Sequence, residues 1–325
     1  MPVGPIFNRA CGALAALALS SALACAQTFP DRPVKLMLAF GAGGTVDALA
    51  RILADKAGER WNQSVIVDNK PGGAGNIGAA AAAHSAPDGY TLHLGAQSLA
   101  TNVTIVPAAN FDPVKDLEPV IFIGFAQDVL MVPKDSPFKT VADVVAAAKA
   151  RPGELNYAST GIGSSGHLAT ILLSQLTGFK AEHVPYTSLG SATTDLMSGR
   201  LSFWMATLGG HLGNIKGGGV RALAVSGAER AKEIPDVPTF KELGIALVEP
   251  STWFGVFVPK GTPPDVIAKL NRDFNAILSE PAMQERLSSL GFSLVGGEPR
   301  ALADHLTKDI AKWAKVASSP DFAAK

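Results

Sequence analysis

Short apolar runs alternate with amphipathic runs along most of the chain. The runs VKLMLAF (34–40), SVIVDN (64–69) and YTLHLGA (90–96) are typical of buried β-strands, and the segments between them have the apolar spacing of helices. Further strands are predicted at 119–125, 129–134, 154–160, 181–186, 201–207, 220–226 and 252–259. This alternation predicts an α/β protein with parallel, doubly wound sheets, whose ligand sites lie at the carboxyl ends of strands.

The predicted strands are too many for one compact sheet, so we expect two lobes with a doubly wound sheet in each. The segment after Trp253 is mainly helical and supplies few strands of its own, which predicts that it returns to the first lobe. The chain then crosses between the lobes near Ala126 and again near Pro250, through a two-stranded hinge. The expected boundaries are 27–126 with 251–325 for lobe 1 and 127–250 for lobe 2.

The N-terminus has the pattern of a secretory signal peptide. An apolar run of small residues and leucines ends in the A-x-A site Ala24 to Ala26, which predicts cleavage of residues 1–26 and a periplasmic location. A lipoprotein anchor at Cys25 is the alternative, although Leu23 suits that signal poorly. Because Cys11 and Cys25 both fall in the leader, the mature chain of roughly 300 residues must rely on its core rather than on disulfides.

Three glycine-rich loops each stand between a predicted strand and a predicted helix. They lie at 41–45 (GAGGT), 70–76 (KPGGAGN) and 159–165 (STGIGSS). Such loops bring backbone N–H groups close to an anion. The first loop lacks the lysine of a Walker A sequence, and Val46 stands where a dinucleotide fingerprint needs its third glycine. A nucleotide is therefore not expected.

A smaller anion, such as a carboxylate, and a plain structural turn both remain open for the first loop. Taken alone, that loop is equally typical of a tight turn capped by Thr45 or Asp47, and Asn76 is placed to cap the helix after the second loop. Three loops on both sides of a cleft instead favour helix N-termini that converge on one anionic ligand. Since Lys plus Arg and Asp plus Glu number 28 each, no net charge favours nucleic acid or an anionic membrane as a partner.

Long ordered motifs resemble one known family. They include PDRPVKLMLAFGAGGTVDALARILADK, VIVDNKPGGAGNIGAAAAAHSAPDGYTLHLG, ELNYASTGIGSSGHLA, EHVPYTS, GGGVRALAVSGAERAKEIPDVPTFKELG and STWFGVFVPKGTPPDVIAKLN. In this order they resemble the Bug-type extracytoplasmic solute receptors, which are the periplasmic binding proteins of the tripartite tricarboxylate transporter class. The resemblance runs from about Phe29 to about Val316, which is nearly the whole mature chain.

The resemblance implies a two-lobed periplasmic-binding-protein fold, the type II Venus flytrap. Such a receptor closes over a small carboxylate or dicarboxylate and hands it to the large and small membrane subunits of the transporter. It also implies a monomer without a cofactor or metal. Ala42 and Ala206 depart from many relatives, which have proline and aspartate there. Because Ala206 removes a partner for a ligand amine, we expect a plain carboxylate rather than an acidic amino acid.

Candidate ligand-binding residues follow from the loops and the resemblance. In lobe 1, a carboxylate at Asp47 would repel an anion, so a helix cap is its favoured role. In lobe 2, His167 is equally compatible with a positive partner for the anion and with a structural role. Tyr186 is equally compatible with a position in the cleft wall and with one in the core. Trp253 is expected to pack at the hinge. The candidates are Gly43, Gly44, Thr45, Asp47, Gln97, Ser98, Asn102, Ser159, Ser164, Ser165, His167, Tyr186 and Thr207.

An enzymatic reading has little support in the sequence. A secreted α/β hydrolase needs G-x-S-x-G at a strand-to-helix turn, and the segment from Gly161 to Gly166 does not contain it. The six histidines form no H-E-x-x-H or similar metal-binding pair. A ligand-sensing ectodomain for a signalling partner stays open as an alternative, because a flytrap can report its ligand to another protein.

Overall fold

A computed structural model describes residues 29–107, 110–186, 188–246 and 252–318. The predicted leader at 1–26, Thr187 in the EHVPYTS motif and the predicted crossing near Pro250 lie outside these ranges. Within them, no helix is both long and apolar enough to cross a bilayer.

The strands fall close to the apolar runs of the sequence. They are β1 (Val34–Leu38), β2 (Val65–Asn69), β3 (Thr91–Ala96), β4 (Leu117–Ala126), β5 (Asp128–Pro133), β6 (Asn156–Ser159), β7 (Glu182–Pro185), β8 (Phe203–Thr207), β9 (Val220–Val225), β10 (Thr252–Pro259) and β11 (Phe292–Leu294). All ten predicted strands are present. The short β11, which pairs with β4, was not predicted.

The helices connect and cover these strands. They are α1 (Thr45–Trp61), α2 (Asn76–Ala83), α3 (Ser98–Thr101), α4 (Pro113–Asp116), α5 (Val141–Ala150), α6 (Ser165–Thr177), α7 (Leu189–Met197), α8 (Leu212–Lys216), α9 (Pro264–Ser279), α10 (Pro281–Ser288) and α11 (Pro299–Ala317). Short 3-10 turns at Gly73–Gly75 and Leu208–Gly210 complete two of the loops.

The strands form two separate sheets. The first has the order β11-β4-β10-β3-β1-β2, and the second has the order β7-β6-β8-β5-β9. Strands β1, β2 and β3 run parallel, as do β6, β7 and β8. Both sheets are mixed rather than purely parallel, because β10 runs antiparallel to β3 and β4, and β5 runs antiparallel to β8 and β9. Strand β5 is the first strand of the second sheet after the chain leaves the first sheet, and β10 is the first strand after the chain returns.

Each sheet has its own apolar core. In the first, Leu270 and Phe274 of α9 pack with α1 residues such as Leu53 against the strands, and Trp61 meets Phe274 edge to face. In the second, Phe203 of β8 is fully buried under α5 and α6. The two sheets are directly joined where β4 ends at Ala126 and β5 begins two residues later. The result is two α/β lobes whose glycine loops lie at the carboxyl ends of parallel strands.

Candidate ligand site between the lobes

The first glycine loop ends in a helix without a side-chain cap. Gly44 is the N-cap of α1, and Gly43 has a φ of +87°, which favours glycine. Within the described residues, the backbone N–H groups of Thr45 and Val46 have no acceptor. A 17-residue helix therefore presents its positive end and unpaired donors at this point.

Asp47 stabilises the first glycine loop through hydrogen bonds and is not the N-cap of α1. Its carboxylate accepts hydrogen bonds from the Gly43 N–H (3.0 Å), the Arg51 guanidinium (3.0 and 3.1 Å) and the Asn69 side-chain amide (3.0 Å). Burial alone would raise the pKa of Asp47, but these hydrogen bonds and the Arg51 charge hold the pKa below its usual value. The Asp47 carboxylate therefore holds the loop in place, and its oxygens already accept four hydrogen bonds.

The lobe 2 loop has the same uncapped arrangement. Ser164 is the N-cap of α6, but its side chain makes no capping hydrogen bond, and its buried Oγ has no partner among the described residues. The N–H groups of Ser165 and Gly166 also lack an acceptor in the described part of the chain. Gly166 allows α6 to lie directly on β8, since a Cβ there would overlap the carbonyl oxygen of Met205.

His167 makes the contacts expected of its structural alternative. The Gly163 N–H donates to His167 Nδ1 at 3.2 Å, so this nitrogen carries no proton in the structure. Ser159, the last residue of β6, bonds to Gly161 within the loop and to His183 Nε2 at 2.6 Å. The His167 and His183 rings lie 4.2 Å apart. Two imidazoles therefore support the loop that carries Ser164 and Ser165.

The two lobes touch at the ends of these loops. Thr45 Oγ1 lies 3.3 Å from Thr207 Oγ1, at the end of β8. The Thr101 hydroxyl donates to the Gly163 carbonyl at 3.4 Å. Asn102 Oδ1 lies 3.4 Å from where a Cβ on Gly163 would be. The structure therefore shows two contacts between the lobes, one of Thr45 with Thr207 and one of Thr101 and Asn102 with Gly163.

The polar residues after β3 are buried and incompletely bonded. Gln97 is 2% exposed, and neither of its amide atoms has a partner among the described residues. Ser98 begins α3, and its Oγ packs closely against Gly75 of the second glycine loop. The second loop itself differs from expectation, because Gly75 is the N-cap of α2 and the Asn76 side chain donates instead to the Val106 carbonyl at 2.6 Å.

The candidate Tyr186 and the hinge residue Trp253 have partners of their own away from these contacts. The Tyr186 hydroxyl donates to Asp195 Oδ2 at 2.7 Å, and its ring packs against the core of the second sheet. The Trp253 indole N–H donates to Asp309 Oδ2 at 2.7 Å under α11, in agreement with the expected packing role. Both aromatic residues thus hold elements together.

Sequence reasoning missed Thr101, His183 and His211. His211 follows the 3-10 turn after β8, is 1% exposed, and its Nε2 lacks a partner in the described ranges. Its ring meets Trp204 edge to face at 4.6 Å. In the sequence, His211 follows the Gly209-Gly210 pair after the apolar run at 201–207, and this position could have indicated a residue near the end of a strand.

Cavities lie elsewhere in this arrangement of the lobes. One of about 330 Å³ opens beside Gln127 at the hinge, between residues 227–233 and 291–293, and one of about 540 Å³ lies along the start of α9. Neither cavity is lined by residues of the three glycine loops. The lobes instead meet at the contacts of Thr45 with Thr207 and of Thr101 with Gly163.

The serine pair provides a direct test of the lobe 2 loop. Replacing Ser164 and Ser165 together by alanine should weaken binding of an anionic ligand by about 1–3 kcal/mol, because two hydroxyl donors to a charged oxygen are lost. Fold stability should change far less, since the Ser164 Oγ makes no hydrogen bond in the structure. Calorimetric titration and thermal melting measure the two effects. Wild-type affinity in the double variant would place the ligand elsewhere.

Comparisons with known proteins agree with the sequence resemblance. The model of the tripartite tricarboxylate transporter family receptor matches residues 49–320. Protein BugT of Bordetella pertussis is 36% identical over 293 residues, which cover 90% of this chain and 90% of BugT.

Solved structures show the same fold. Rpa4515 of R. palustris, solved with adipate, is 36% identical, with a TM-score of 0.84 over 89% of this chain and 97% of that one. MatC of Rhodopseudomonas palustris, solved with bound malate, is 28% identical, with a TM-score of 0.82 over 89% of this chain and 100% of that one. The predicted two-lobed α/β fold is confirmed, and the chain belongs to the tripartite tricarboxylate transporter receptor family.

Proposed function

We propose that this protein is a periplasmic receptor that encloses a small carboxylate between its two lobes. The observation that carries the proposal is the pair of helix N-termini without a side-chain cap, α1 from one lobe and α6 from the other, each beside a contact between the lobes. Each N-terminus offers unpaired backbone donors and a partial positive charge, which favour an anion without any arginine or lysine.

Two relatives with known ligands support the choice of anion. Rpa4515 was solved with adipate and MatC with malate, and both ligands are small dicarboxylates. The resemblance to receptors, rather than to a hydrolase, supports binding and not catalysis as the activity.

The proposed mechanism is closure of the lobes over the ligand. We take the lobes to be 27–126 with 251–325 and 127–250, which is supported by the strands that each sheet contains. Because α1 and α6 belong to different lobes, neither lobe alone completes the site. Ligand then favours the closed form by its difference in affinity for the closed and open forms.

The ligand is proposed to pass to the large and small membrane subunits of a tripartite tricarboxylate transporter. The family assignment supports this partnership and a periplasmic location reached through a cleaved leader. The site needs neither a cofactor nor a metal, since its donors are backbone and hydroxyl groups. One receptor chain supplies both halves of the site, as in a monomer.

Thermal shift with matched ligand pairs tests the proposed function. A carboxylic acid that binds should stabilise the fold by about 2.7 kcal/mol at a concentration ~100 times its Kd, whereas its methyl ester should not. Adipate and malate are the first probes, each with its dimethyl ester as control. Equal shifts from acid and ester would contradict an anion site, and no shift from any acid of a broad panel would contradict a carboxylate receptor.

A further inference from the structure

The side-chain amide of Asn102 is held in one orientation. Its Nδ2 donates to the Ala74 carbonyl at 2.8 Å and to Asn76 Oδ1 at 3.1 Å. The Asn76 amide is fixed in turn, because its own Nδ2 donates to the Val106 carbonyl. Since a carbonyl oxygen only accepts, the nitrogen of Asn102 must face lobe 1, and its oxygen must face away.

The free oxygen of Asn102 points to the lobe junction. Asn102 is 4% exposed, and its Oδ1 has no hydrogen-bond partner within the described residues. This oxygen lies beside Gly163 of the lobe 2 loop, next to Ser164, and Thr101 bonds across the same gap. Lobe closure therefore buries an acceptor that lacks a donor, which is unfavourable until a donor is supplied.

Gln97 supplies a second unsatisfied amide in lobe 1, within the described residues. It precedes α3, whose following residues Thr101 and Asn102 contact lobe 2, and both its Oε1 and its Nε2 are buried without partners in the described part of the chain. Backbone donors at α1 and α6 and the Gln97 Nε2 suit a carboxylate, but the two side-chain oxygens do not, because a carboxylate oxygen offers them no proton. A ligand that carries a donor as well as an anion would satisfy both kinds of group.

A hydroxyl is the donor that fits best. An ammonium would favour a nearby carboxylate, yet Asp47 already accepts four hydrogen bonds and Ala206 has no polar side-chain atom. We propose that the site selects carboxylates that carry a hydroxyl group, through Asn102 Oδ1 and Gln97 Oε1. This inference rests on the proposed carboxylate receptor and refines the sequence expectation of a plain carboxylate.

Matched acids that differ by one hydroxyl test the selection. Calorimetric titration is carried out with succinate and malate, glutarate and 2-hydroxyglutarate, and adipate and 2-hydroxyadipate. At least one hydroxylated acid should bind about tenfold to a hundredfold more tightly than its partner. Equal affinities within every pair that binds would overturn the inference and leave the receptor intact. Failure of all six acids to bind would contradict both the carboxylate receptor and the inference that rests on it.

Variants identify the residues responsible. Asn102→Ala and Gln97→Met each remove an acceptor, so each should reduce the preference for the hydroxylated acid. Asn275→Ala is the control, because it removes an asparagine amide of lobe 1 whose hydrogen bonds, to Asn271 and the Gly297 carbonyl, lie outside the glycine loops. It should keep the preference, and melting temperatures report any loss of fold. A preference that survives both Asn102→Ala and Gln97→Met, or that Asn275→Ala removes equally, would overturn the assignment.

Discussion

Gly166→Ala is expected to destabilise the protein by about 2 kcal/mol and to weaken ligand binding by about tenfold or more. The added Cβ would overlap the backbone carbonyl oxygen of Met205, so α6 could no longer lie directly on β8. A backbone oxygen cannot move aside as a flexible side chain can. The helix N-terminus, with Ser164 and Ser165, must therefore shift away from the lobe junction.

The control for this substitution is Gly190→Ala in α7 of the same lobe. A Cβ on Gly190 would meet only Ser188 Oγ, at an ordinary 3.7 Å. Stability should stay within about 0.5 kcal/mol of the wild type, because alanine suits a helix better than glycine. Chemical denaturation and calorimetric titration measure both variants. Unchanged affinity in Gly166→Ala would show that the position of the α6 N-terminus does not matter to the ligand.

The free energy of unfolding is expected to fall by about 4 kcal/mol between pH ~7 and pH ~5, through two buried histidines. His93 on β3 and His211 after β8 are each 1% exposed. Burial lowers the pKa of His93 to about 4, although its hydrogen bond to the Met37 carbonyl acts in the opposite direction, and burial lowers the pKa of His211 to about 4.

The sign follows from proton binding in the two states. Below pH ~6.5 the unfolded chain binds protons at both histidines, whereas the folded protein does so only near pH ~4. Stability is therefore present above the unfolded pKa and is lost as the pH falls towards the folded pKa, by about 2 kcal/mol for each histidine down to pH ~5. The usual carboxylate titrations lie mostly below this window.

Substitution separates these two histidines from other groups. His93→Gln and His211→Gln remove the titrating rings, so the double variant should lose the ~4 kcal/mol of pH dependence assigned to them in guanidinium chloride denaturation. His84 is exposed, and His84→Gln should keep the wild-type dependence. A double variant as sensitive to pH as the wild type would show that other groups control the acid response.

The sequence predicted the positions of the strands better than their parallel or antiparallel directions in the sheets. Buried strands such as β1 and β8 are mainly apolar runs, which the hydrophobic pattern records directly. Strand β11 has only three residues and was missed. The antiparallel course of β10 depends on the chain returning from lobe 2, which hydrophobic pattern does not encode.

The site was predicted as three loops, not as a set of contacts. Glycine spacing located the turns at Gly43 and Gly163, where φ is +87° and +81°. Asp47 and Ser164 are both polar residues near a helix start, yet Asp47 accepts four hydrogen bonds whereas Ser164 Oγ has no partner among the described residues. Their partners, or lack of them, depend on residues brought together only by the fold.

Hydrogen exchange at the two helix N-termini tests the central claim most directly. With adipate or malate bound, amides of the loops 41–46 and 161–166 should both exchange more slowly than in the free protein, because one ligand accepts donors from both lobes while the cleft closes. Protection confined to one loop, with a ligand that stabilises the protein, would contradict a carboxylate site shared between the lobes.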